Sequence, residues 1–363
     1  MAMKVLVVNT VTFCRNGITG VILNIYKNID KKKVQMDFVA TDFNTEQWVK
    51  DIIVAHNSKF YEIDKSYKGI SKYVAKLTQI AKGYDVIHIH GNSSSMVFEL
   101  IAGKLAGIKK RIAHSHNTTC SHPKIDKMMR PLFYLFCNGR LACGEEAGTW
   151  MFKHRPFIVI NNGIDTEAYR FCEADRIKER KKLGITNESL IGHVGRLNEQ
   201  KNQSFLLDVL KKIVDNNDDV KLVLIGDGPF EEKLREKARN MEITEKVIFA
   251  GAVNNVNQLL NALDLVVMPS LYEGLPLTLV EEQANGLICV VADTITEEVN
   301  ISGNIRFISL NASLEVWADR IMNELTDRSR CESSEQSIQL IREKGFDINK
   351  TVRTIAMVYG LQD

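Results

Sequence analysis

Two basic residues in the second half of the chain are close enough in sequence to bind the same anionic group. Arg196 and Lys201 lie within one short loop that follows the apolar run from Ser189 to Val194, a run typical of a buried strand. An arginine guanidinium offers a planar fork to phosphate oxygens and a lysine offers a mobile point charge. The pair can therefore hold a diphosphate and neutralise it as it departs. A solvated pair of surface cations is the alternative interpretation.

Two carboxylates follow in a segment that runs from a strand end through a Gly-Pro loop into a helix. Pro276 marks the predicted first turn, so Glu273 lies in the loop and Glu281 lies about 7 Å of axial rise inside the helix. They are therefore not a paired acid and base. A carboxylate can accept two hydroxyls of a sugar or ribose, and the loop amides near Gly274 to Leu277 are open to phosphate or sugar oxygens. Taken alone, Glu281 would be interpreted as an exposed helical acid.

The first βα loop does not carry a dinucleotide-binding fingerprint. The pattern G-x-G-x-x-G is missing, and Asp42, placed where a ribose-binding acid would fall, carries little weight without those glycines. Gly17 and Gly20 can still bring backbone close to a phosphate at a helix N-terminus. A plain tight turn is the other interpretation of both glycines.

Apolar runs alternate with segments of helical period in both halves, which predicts an α/β protein with two Rossmann-like domains and parallel sheets. We expect an N-terminal domain over 1–165 and a C-terminal domain over 166–346, with a final helix, 347–363, that packs back on the first. The turn chemistry of Asn161 to Asp165 predicts a hinge between them. Open parallel sheets bind ligands at the carboxyl ends of their strands, so a ligand is expected in the cleft between the sheets.

Length and composition are those of an ordinary globular protein. The chain has 363 residues with 45% hydrophobic and 25% charged residues, and no apolar run approaches the ~18 residues of a spanning helix. We expect a cytoplasmic protein, because no cleavable signal pattern begins the chain and the seven cysteines show no paired spacing.

Charge is divided unequally between the halves. Residues 1–165 hold 23 Lys+Arg against 13 Asp+Glu, a net +10, which leaves 24 against 32, a net −8, for the rest.

Basic residues and aromatics interleave between Leu100 and Gly144, where Asp126 is the one acid. This segment predicts peripheral contact with an anionic inner membrane leaflet, which would bring a lipid-linked acceptor to the cleft. The alternative is an aromatic core with a solvated basic rim. No nucleic-acid motif accompanies the segment, so nucleic acid is not an expected partner.

The order and spacing of the motifs resemble the retaining family-4 glycosyltransferases of the GT-B fold over nearly the whole chain. The residues that carry the resemblance are Asn161-Asn162-Gly163-Ile164-Asp165, Gly195-Arg196 with Lys201-Asn202, and Glu273 with Glu281. Three further motifs resemble the bacterial branch that builds capsular polysaccharides and exopolysaccharides, and they are His88-Ile89-His90, Arg111-Ile112-Ala113-His114-Ser115-His116-Asn117 and Phe249-Ala250-Gly251.

Carried over residue by residue, the resemblance implies a site for a nucleotide-diphosphate sugar. Arg196 and Lys201 would bind the diphosphate, Glu281 the ribose and Glu273 the donor sugar, assisted by Gly274, Leu275 and Leu277 of the loop. Gly17 would approach the phosphates, Val253 the base, and His116 the reacting sugar. The first loop departs from the common Gly-Gly pair, since Ile18 follows Gly17.

The resemblance implies no catalytic metal and no cofactor. His114, Ser115 and His116, with His122 downstream, lack an accompanying carboxylate triad, and the two cations already supply the charge that Mg²⁺ would provide. We interpret His114 as structural.

These observations predict a transferase that moves a sugar from a nucleotide donor, expected to be a UDP-sugar, to a glycan or lipid-linked acceptor. The resemblance implies retention at the anomeric carbon by same-face attack, which requires no enzymic nucleophile. Two other classes remain open: a GT-B-shaped nucleotide-sugar epimerase and a non-catalytic nucleotide-sugar binding protein.

Overall fold

The computed structural model describes residues 2–217, 219–325 and 329–361, except the side chain of Tyr67. The chain forms two compact units, Met1–Gly163 with Ile348–Asp363, and Ile164–Asp347. The division falls at Gly163 and not at the predicted residue 165. Ile164 belongs to the second unit because its amide donates to the Phe346 carbonyl at 2.8 Å and it pairs with Asp347 in a parallel bridge.

The first unit alternates strands and helices as the sequence pattern predicts. In chain order its elements are β1 (Met3–Asn9), α1 (Gly17–Asn28), β2 (Val34–Ala40), α2 (Gln47–Val54), β3 (Phe60–Glu62), α3 (Ile70–Ala81), β4 (Val86–Gly91), α4 (Val97–Leu105), β5 (Lys110–Ser115), α5 (Pro123–Phe136), β6 (Gly139–Ala142), α6 (Glu145–Phe152) and β7 (Ile158–Val159).

The seven strands of this unit form one parallel sheet in the order β3-β2-β1-β4-β5-β6-β7. The central strands are nearly continuous buried runs, because helices cover both faces of a doubly wound sheet. The order reverses direction at β1, so β1 and β4 diverge from a switch point, where α/β sheets bind ligands.

The second unit repeats the same construction. Its elements are α7 (Glu173–Leu183), β8 (Ser189–Val194), α8 (Gln203–Val214), β9 (Val220–Ile225), α9 (Glu231–Asn240), β10 (Val247–Gly251), α10 (Val256–Leu260), β11 (Leu265–Met268), α11 (Leu277–Ala284), β12 (Cys289–Ala292), β13 (Ile305–Ile308), α12 (Leu314–Glu324) and α13 (Arg330–Glu343). Its parallel sheet has the order β10-β9-β8-β11-β12-β13, with the switch point between β8 and β11.

The last helix, α14 (Ile348–Tyr359), returns to the first unit, as the sequence pattern predicts. Its apolar stripe includes Ile348, Val352, Ile355 and Tyr359, all buried, and it packs against α1. The two parallel sheets and their covering helices confirm the predicted α/β class with two Rossmann-like domains.

Candidate active site

Two loops at the carboxyl edge of the second sheet are joined by hydrogen bonds. The first follows β8 and the second follows β11, the two strands that flank the switch point. Leu271 donates its amide to the Gln200 carbonyl at 2.8 Å, Gln200 donates its side-chain amide to the Tyr272 carbonyl at 2.9 Å, and Asn202 donates to the Pro269 carbonyl at 3.1 Å. The loops that hold Lys201 and Glu273 therefore form one connected surface.

Two glycines in the turn after β9 allow the backbone of that turn to contact the backbone of the loop after β8. Gly226 has φ +139°, and a Cβ there would lie 2.0 Å from the Gly195 carbonyl oxygen. Gly228 has φ +159°, and its Cβ would lie 2.3 Å from the Leu197 carbonyl oxygen. Any side chain at either position would displace the backbone beside Arg196. Sequence reasoning missed this turn, whose signal is the run Gly-Asp-Gly-Pro directly after a strand.

Lys201 and Glu273 contact each other across the two loops. The Nζ of Lys201 lies 2.7 Å from Oε1 of Glu273, and the side chains are only 15% and 10% exposed. Arg196, by contrast, is exposed, and its guanidinium makes no ion pair with any residue that the structure describes. The structure thus brings Lys201 and Glu273 together, with Arg196 five residues before Lys201 in the same loop; one cation is paired and the other is open to solvent.

The N-terminus of α11 begins directly beside this pair. Pro276 caps the helix, so the first amides of α11 have no intrahelical acceptor and attract negative charge. A Cβ at Gly274 would have nothing within 4 Å, so packing does not require a glycine there. The hydroxyl of Thr278, in the first turn, is buried without a hydrogen-bond partner among the described residues. Thr278 is a candidate ligand-binding residue that the sequence did not single out.

Glu281 lies one turn deeper in α11 and contacts a tyrosine from a distant segment. Burial raises the pKa of its carboxyl to about 7, although a hydrogen bond from the Tyr169 hydroxyl favours the ionised form. The segment of Tyr169 is held from both sides, since Asn285 donates to the Tyr169 carbonyl at 2.9 Å and Asn257 donates to the Ala168 carbonyl at 3.0 Å. Tyr169 is a second residue that sequence reasoning missed, because no local pattern connects it to Glu281.

Three apolar residues of the predicted site have packing roles. Val253, Leu275 and Leu277 are partly buried and contact the core of the second unit. Their side chains hold the loop after β10 and the start of α11 in place. Their backbone contacts with a donor stay a prediction.

In the first unit, Gly17 is the first residue of α1. Asn16 caps this helix and accepts from the Thr19 amide at 2.9 Å. A Cβ at Gly17 or Gly20 would have nothing within 4 Å, so packing explains neither glycine. The predicted approach of Gly17 to a phosphate stays a prediction.

Four histidines gather on one face of the first sheet, where β4 and β5 lie side by side. His88 and His90 come from β4, and His114 and His116 come from the end of β5 and the loop after it. Burial lowers the pKa of both His88 and His116 to about 3, and it lowers the pKa values of His90 and His114 well below the usual value, so all four rings are neutral near pH 7.

One ring nitrogen from each of His88, His90 and His114 lies within 4.8 Å of the other two. Among the described residues, no other group of three or more His, Cys, Asp or Glu side chains has a spacing that could hold a metal ion. Oxygen-preferring Mg²⁺ does not fit three imidazoles. The absence of a catalytic metal stays a prediction.

Comparison with known proteins places these features in a family. Residues 15–168 match the family model described as Glycosyltransferase Family 4, and residues 175–342 match the one described as Glycosyl transferases group 1. The putative glycosyltransferase EpsF of Bacillus subtilis is 30% identical over 364 residues, which cover 96% of this chain and 94% of that protein. This chain is therefore a glycosyltransferase, an α/β enzyme with two Rossmann-like units. The chain belongs to the family-4 glycosyltransferases, which confirms the resemblance that its motifs indicate.

Two further proteins are informative. The UDP-Gal:alpha-D-GlcNAc-diphosphoundecaprenol alpha-1,3-galactosyltransferase of Escherichia coli is 27% identical over 307 residues, 76% of this chain and 75% of that one. Among solved structures, Anabaena HepE in complex with UDP-glucose has a TM-score of 0.78 with 22% identity, over 98% of both chains. The latter likeness supports the GT-B fold. Among the described residues, no helix has the length and apolarity needed to span a membrane.

Proposed function

We propose that this enzyme is a retaining glycosyltransferase that moves a sugar from a UDP-sugar to a glycan or lipid-linked acceptor in bacterial surface polysaccharide synthesis. The nucleotide is supported by the UDP-glucose named in the HepE structure and by the UDP-galactose in the name of the E. coli relative. The acceptor class is supported by the diphosphoundecaprenol-linked sugar in that same name.

One observation carries the proposal: Lys201 and Glu273 contact each other at the junction of the two hydrogen-bonded loops, beside the exposed Arg196. A diphosphate placed there meets the Arg196 fork, the Lys201 ammonium and the free amides of Gly274, Leu275 and Leu277. In the free protein, Glu273 neutralises Lys201. When a donor binds, the same lysine bridges Glu273 and the diphosphate, which places the Glu273 carboxylate next to the first sugar.

The remaining residues bind the rest of the donor. Glu281 accepts the ribose hydroxyls, and Val253 lies by the base. Gly17 approaches the phosphates from the first unit, and His116 contacts the reacting sugar. Of these residues, Glu281 is best placed for its role, because its position inside α11 sets it deeper than the diphosphate amides at the N-terminus of that helix.

The main barrier is departure of UDP from the anomeric carbon. Arg196 and Lys201 stabilise the negative charge that develops on the leaving diphosphate, so no metal is needed for this step. The acceptor hydroxyl attacks from the face that UDP leaves, and its proton passes to the departing phosphate oxygen. The configuration is retained without a covalent enzyme intermediate.

The acceptor binds to the first unit. Beside the loop that follows β5, this unit has a groove of about 500 Å³, lined by α6 and by that loop, with Thr118, Glu145 and Trp150 among its residues. An aromatic ring next to carboxylates and a hydroxyl suits a sugar, whose apolar face stacks while its hydroxyls donate. Gly148 keeps α6 in place, since a Cβ there would lie 2.1 Å from the Phe157 ring.

The helix α5 brings this unit to an anionic membrane surface. Met128, Leu132 and Leu135 follow helical spacing and are 70%, 52% and 72% exposed, and Lys124 and Lys127 are exposed on the same helix. The one acid, Asp126, is buried and paired with Arg130 at 2.7 Å, so it does not offset the basic charge. Apolar insertion and basic charge together favour anionic leaflets.

Sedimentation with vesicles tests the membrane contact. Wild-type protein should pellet with phosphatidylglycerol vesicles at low salt and remain in solution with phosphatidylcholine vesicles. The double variant L132S/L135S should stay in the supernatant, whereas I177S, which changes an equally exposed isoleucine of α7, should pellet like wild type. Equal pelleting of all three proteins would contradict the role of α5.

A donor screen tests the function itself. UDP release from UDP-glucose, UDP-galactose and UDP-N-acetylglucosamine, with the GDP-sugars as controls, is measured with and without undecaprenyl-diphosphate-linked sugars, and NMR of the product gives the anomeric configuration. We expect acceptor-dependent release of UDP, an α-linked product from the α-linked donor, and no effect of EDTA. An isomerised free nucleotide sugar without acceptor would instead establish an epimerase, and tight donor binding without turnover a binding protein.

A further inference from the structure

The three buried histidines His88, His90 and His114 and the half-buried His116 form a two-by-two arrangement, in which each ring forms a hydrogen bond with only one other. In the register of β4 and β5, His90 lies opposite His114. The rings of His88 and His90 are tilted by 30°, and those of His114 and His116 by 32°. The stacked pairs, His88 with His114 and His90 with His116, join β4 to β5 and the loop after it, and the hydrogen bonds join the same pairs. His88 bonds to His114 with their nitrogens 3.3 Å apart, and His90 bonds to His116 with Nδ1 and Nε2 2.9 Å apart.

His90 is itself held tightly at the end of β4. Thr10 donates both its amide and its hydroxyl to the His90 carbonyl, each at 2.9 Å. A Cβ at Gly91 would lie 2.2 Å from the Thr10 hydroxyl oxygen, so a side chain there would displace the Thr10 side chain, which directly follows β1. The neighbouring His88 is fixed from another side by the Tyr359 hydroxyl of α14, 2.8 Å from its Nδ1. His90 is therefore a rigid support.

His116 is different, because it lies beyond the last residue of β5 and has no strand pairing of its own. Its Nε2 is engaged by His90, and the two rings are stacked with centroids 5.1 Å apart and planes 18° apart. One hydrogen bond to one nitrogen of a neutral imidazole orients the ring, and it couples the tautomers of the two rings, because only one of the two bonded nitrogens carries the proton. The other nitrogen, Nδ1, is left for a ligand.

We propose that His90 is a positioning residue for His116: its buried Nδ1 fixes the ring direction and the tautomer with which His116 meets the donor sugar. This inference rests on the proposed contact between His116 and the sugar. The contrast with His114 supports it, because the His114 ring lies beside His116, with centroids 4.3 Å apart and planes tilted by 32°, yet its hydrogen bond goes to His88. The Nε2 of His114 has no partner among the described residues.

Substitution of the two neighbours tests the proposal. H90F keeps an aromatic ring of similar shape but removes the nitrogen, H90N keeps an amide near the position of Nδ1, and H114F makes the same ring replacement without removing a bond to His116. We expect H90F to lower kcat by ~10²-fold, the scale of a small misplacement of a reacting group, with unchanged UDP affinity. H90N should recover most of this loss, and H114F should stay within a few-fold of wild type.

A spectroscopic measurement separates this inference from the proposed function. In protein labelled with ¹⁵N-histidine, the ring-nitrogen shifts of His116 report its tautomer without any turnover. We expect a single tautomer in wild type, H90N and H114F, and a mixture of both tautomers in H90F. A single unchanged tautomer in H90F, or equal kcat in H90F and H114F, would overturn the positioning role. If wild type transfers no sugar but the ring-nitrogen shifts of His116 are as expected, the proposed function is overturned and the positioning role of His90 is not.

Discussion

The ammonium nitrogen of Lys201 lies 2.7 Å from a carboxylate oxygen of Glu273, although 72 residues separate them in the chain. Both side chains are largely withdrawn from water, so each partner depends on the other, because removal of one leaves an uncompensated charge. The contact links the loop after β8 to the loop after β11. It gives the second unit a preformed charged site, and the diphosphate that we propose to bind there would require little rearrangement of it.

Removal of the paired cation should slow transfer. We expect K201A to lower kcat by ~10²-fold or more, the scale of losing one preorganised group that stabilises developing charge. K211A removes an exposed lysine whose ion pair with Asp215 lies on the surface of α8, and it should keep full activity. Steady-state rates at saturating donor give the comparison. A K201A rate equal to that of K211A would remove Lys201 from the mechanism.

Nucleotide binding should depend on pH through Glu281. Burial raises the pKa of this carboxyl to about 7, so the carboxylate that we propose accepts the ribose hydroxyls is scarce at pH 6 and predominant at pH 8. Calorimetry should show that wild type binds UDP more tightly as pH rises through 7. E281Q should bind weakly and without this pH dependence. A pH dependence that persists in E281Q would assign it to another group.

Unfolding gives an independent check on the same carboxyl. A pKa raised in the folded protein means that folding disfavours the charged form, so stability is lost as pH rises from the unfolded value near 4.5 through 7. E281Q removes that charge. Its melting temperature should exceed that of wild type at pH 8, by ~2–4 °C for each kcal/mol, and match it at pH 4. A lower melting temperature at pH 8 would contradict the burial of an ionised Glu281.

The Tyr169 hydroxyl favours the ionised form of Glu281, so Y169F should move the pH dependence of UDP binding to higher pH. Y84F makes the same change at a hydroxyl that bonds to Asp37 at 2.6 Å in the first unit, and it should leave UDP binding unchanged. Titrations with UDP between pH 6 and 9 compare the three proteins. Coincident curves for Y169F and wild type would show that the hydroxyl does not act on Glu281.

The buried histidines should make the first unit sensitive to acid. The rings of His88, His90 and His114 have pKa values far below 6.5, so protonation favours the unfolded chain. The stability of the folded protein is unaffected by the titration of these rings above pH 6.5 and is lost as pH falls below 6.5, at about 1.4 kcal/mol per ring and pH unit.

Urea unfolding between pH 7 and 4.5 measures this loss. H114N should show a shallower loss of stability, because one ring fewer takes up a proton on unfolding. H122N changes an exposed histidine and should reproduce the wild-type slope. An H114N slope as steep as that of wild type would contradict the neutral state of His114.

Much of the fold could be predicted because parallel strands buried on both faces appear as continuous apolar runs. The strand Ser189–Val194 agrees to the residue with the predicted one. The charged helix α7 was not predicted, because its mean composition is polar and its position depends on Arg176 and Arg180, which bond to Asp264 more than 80 residues away.

The candidate site was predictable only where its residues lie in short motifs. Arg196, Lys201, Glu273 and Glu281 have local signals, whereas the contact of Tyr169 with Glu281 joins segments more than 100 residues apart. The unpartnered hydroxyl of Thr278 and the bond between His90 and His116 likewise depend on three-dimensional packing. Periodicity specifies which face a residue occupies, but it does not specify which distant side chain it meets.

Calorimetric binding of UDP, UMP and uridine to wild type, R196A and K201A tests the diphosphate site most directly. We predict that wild type binds UDP at least ~10-fold more tightly than UMP, that this preference collapses in both variants, and that uridine binds all three proteins alike. Equal preference for UDP over UMP in wild type and in both variants would contradict the assignment of these two cations to the leaving diphosphate.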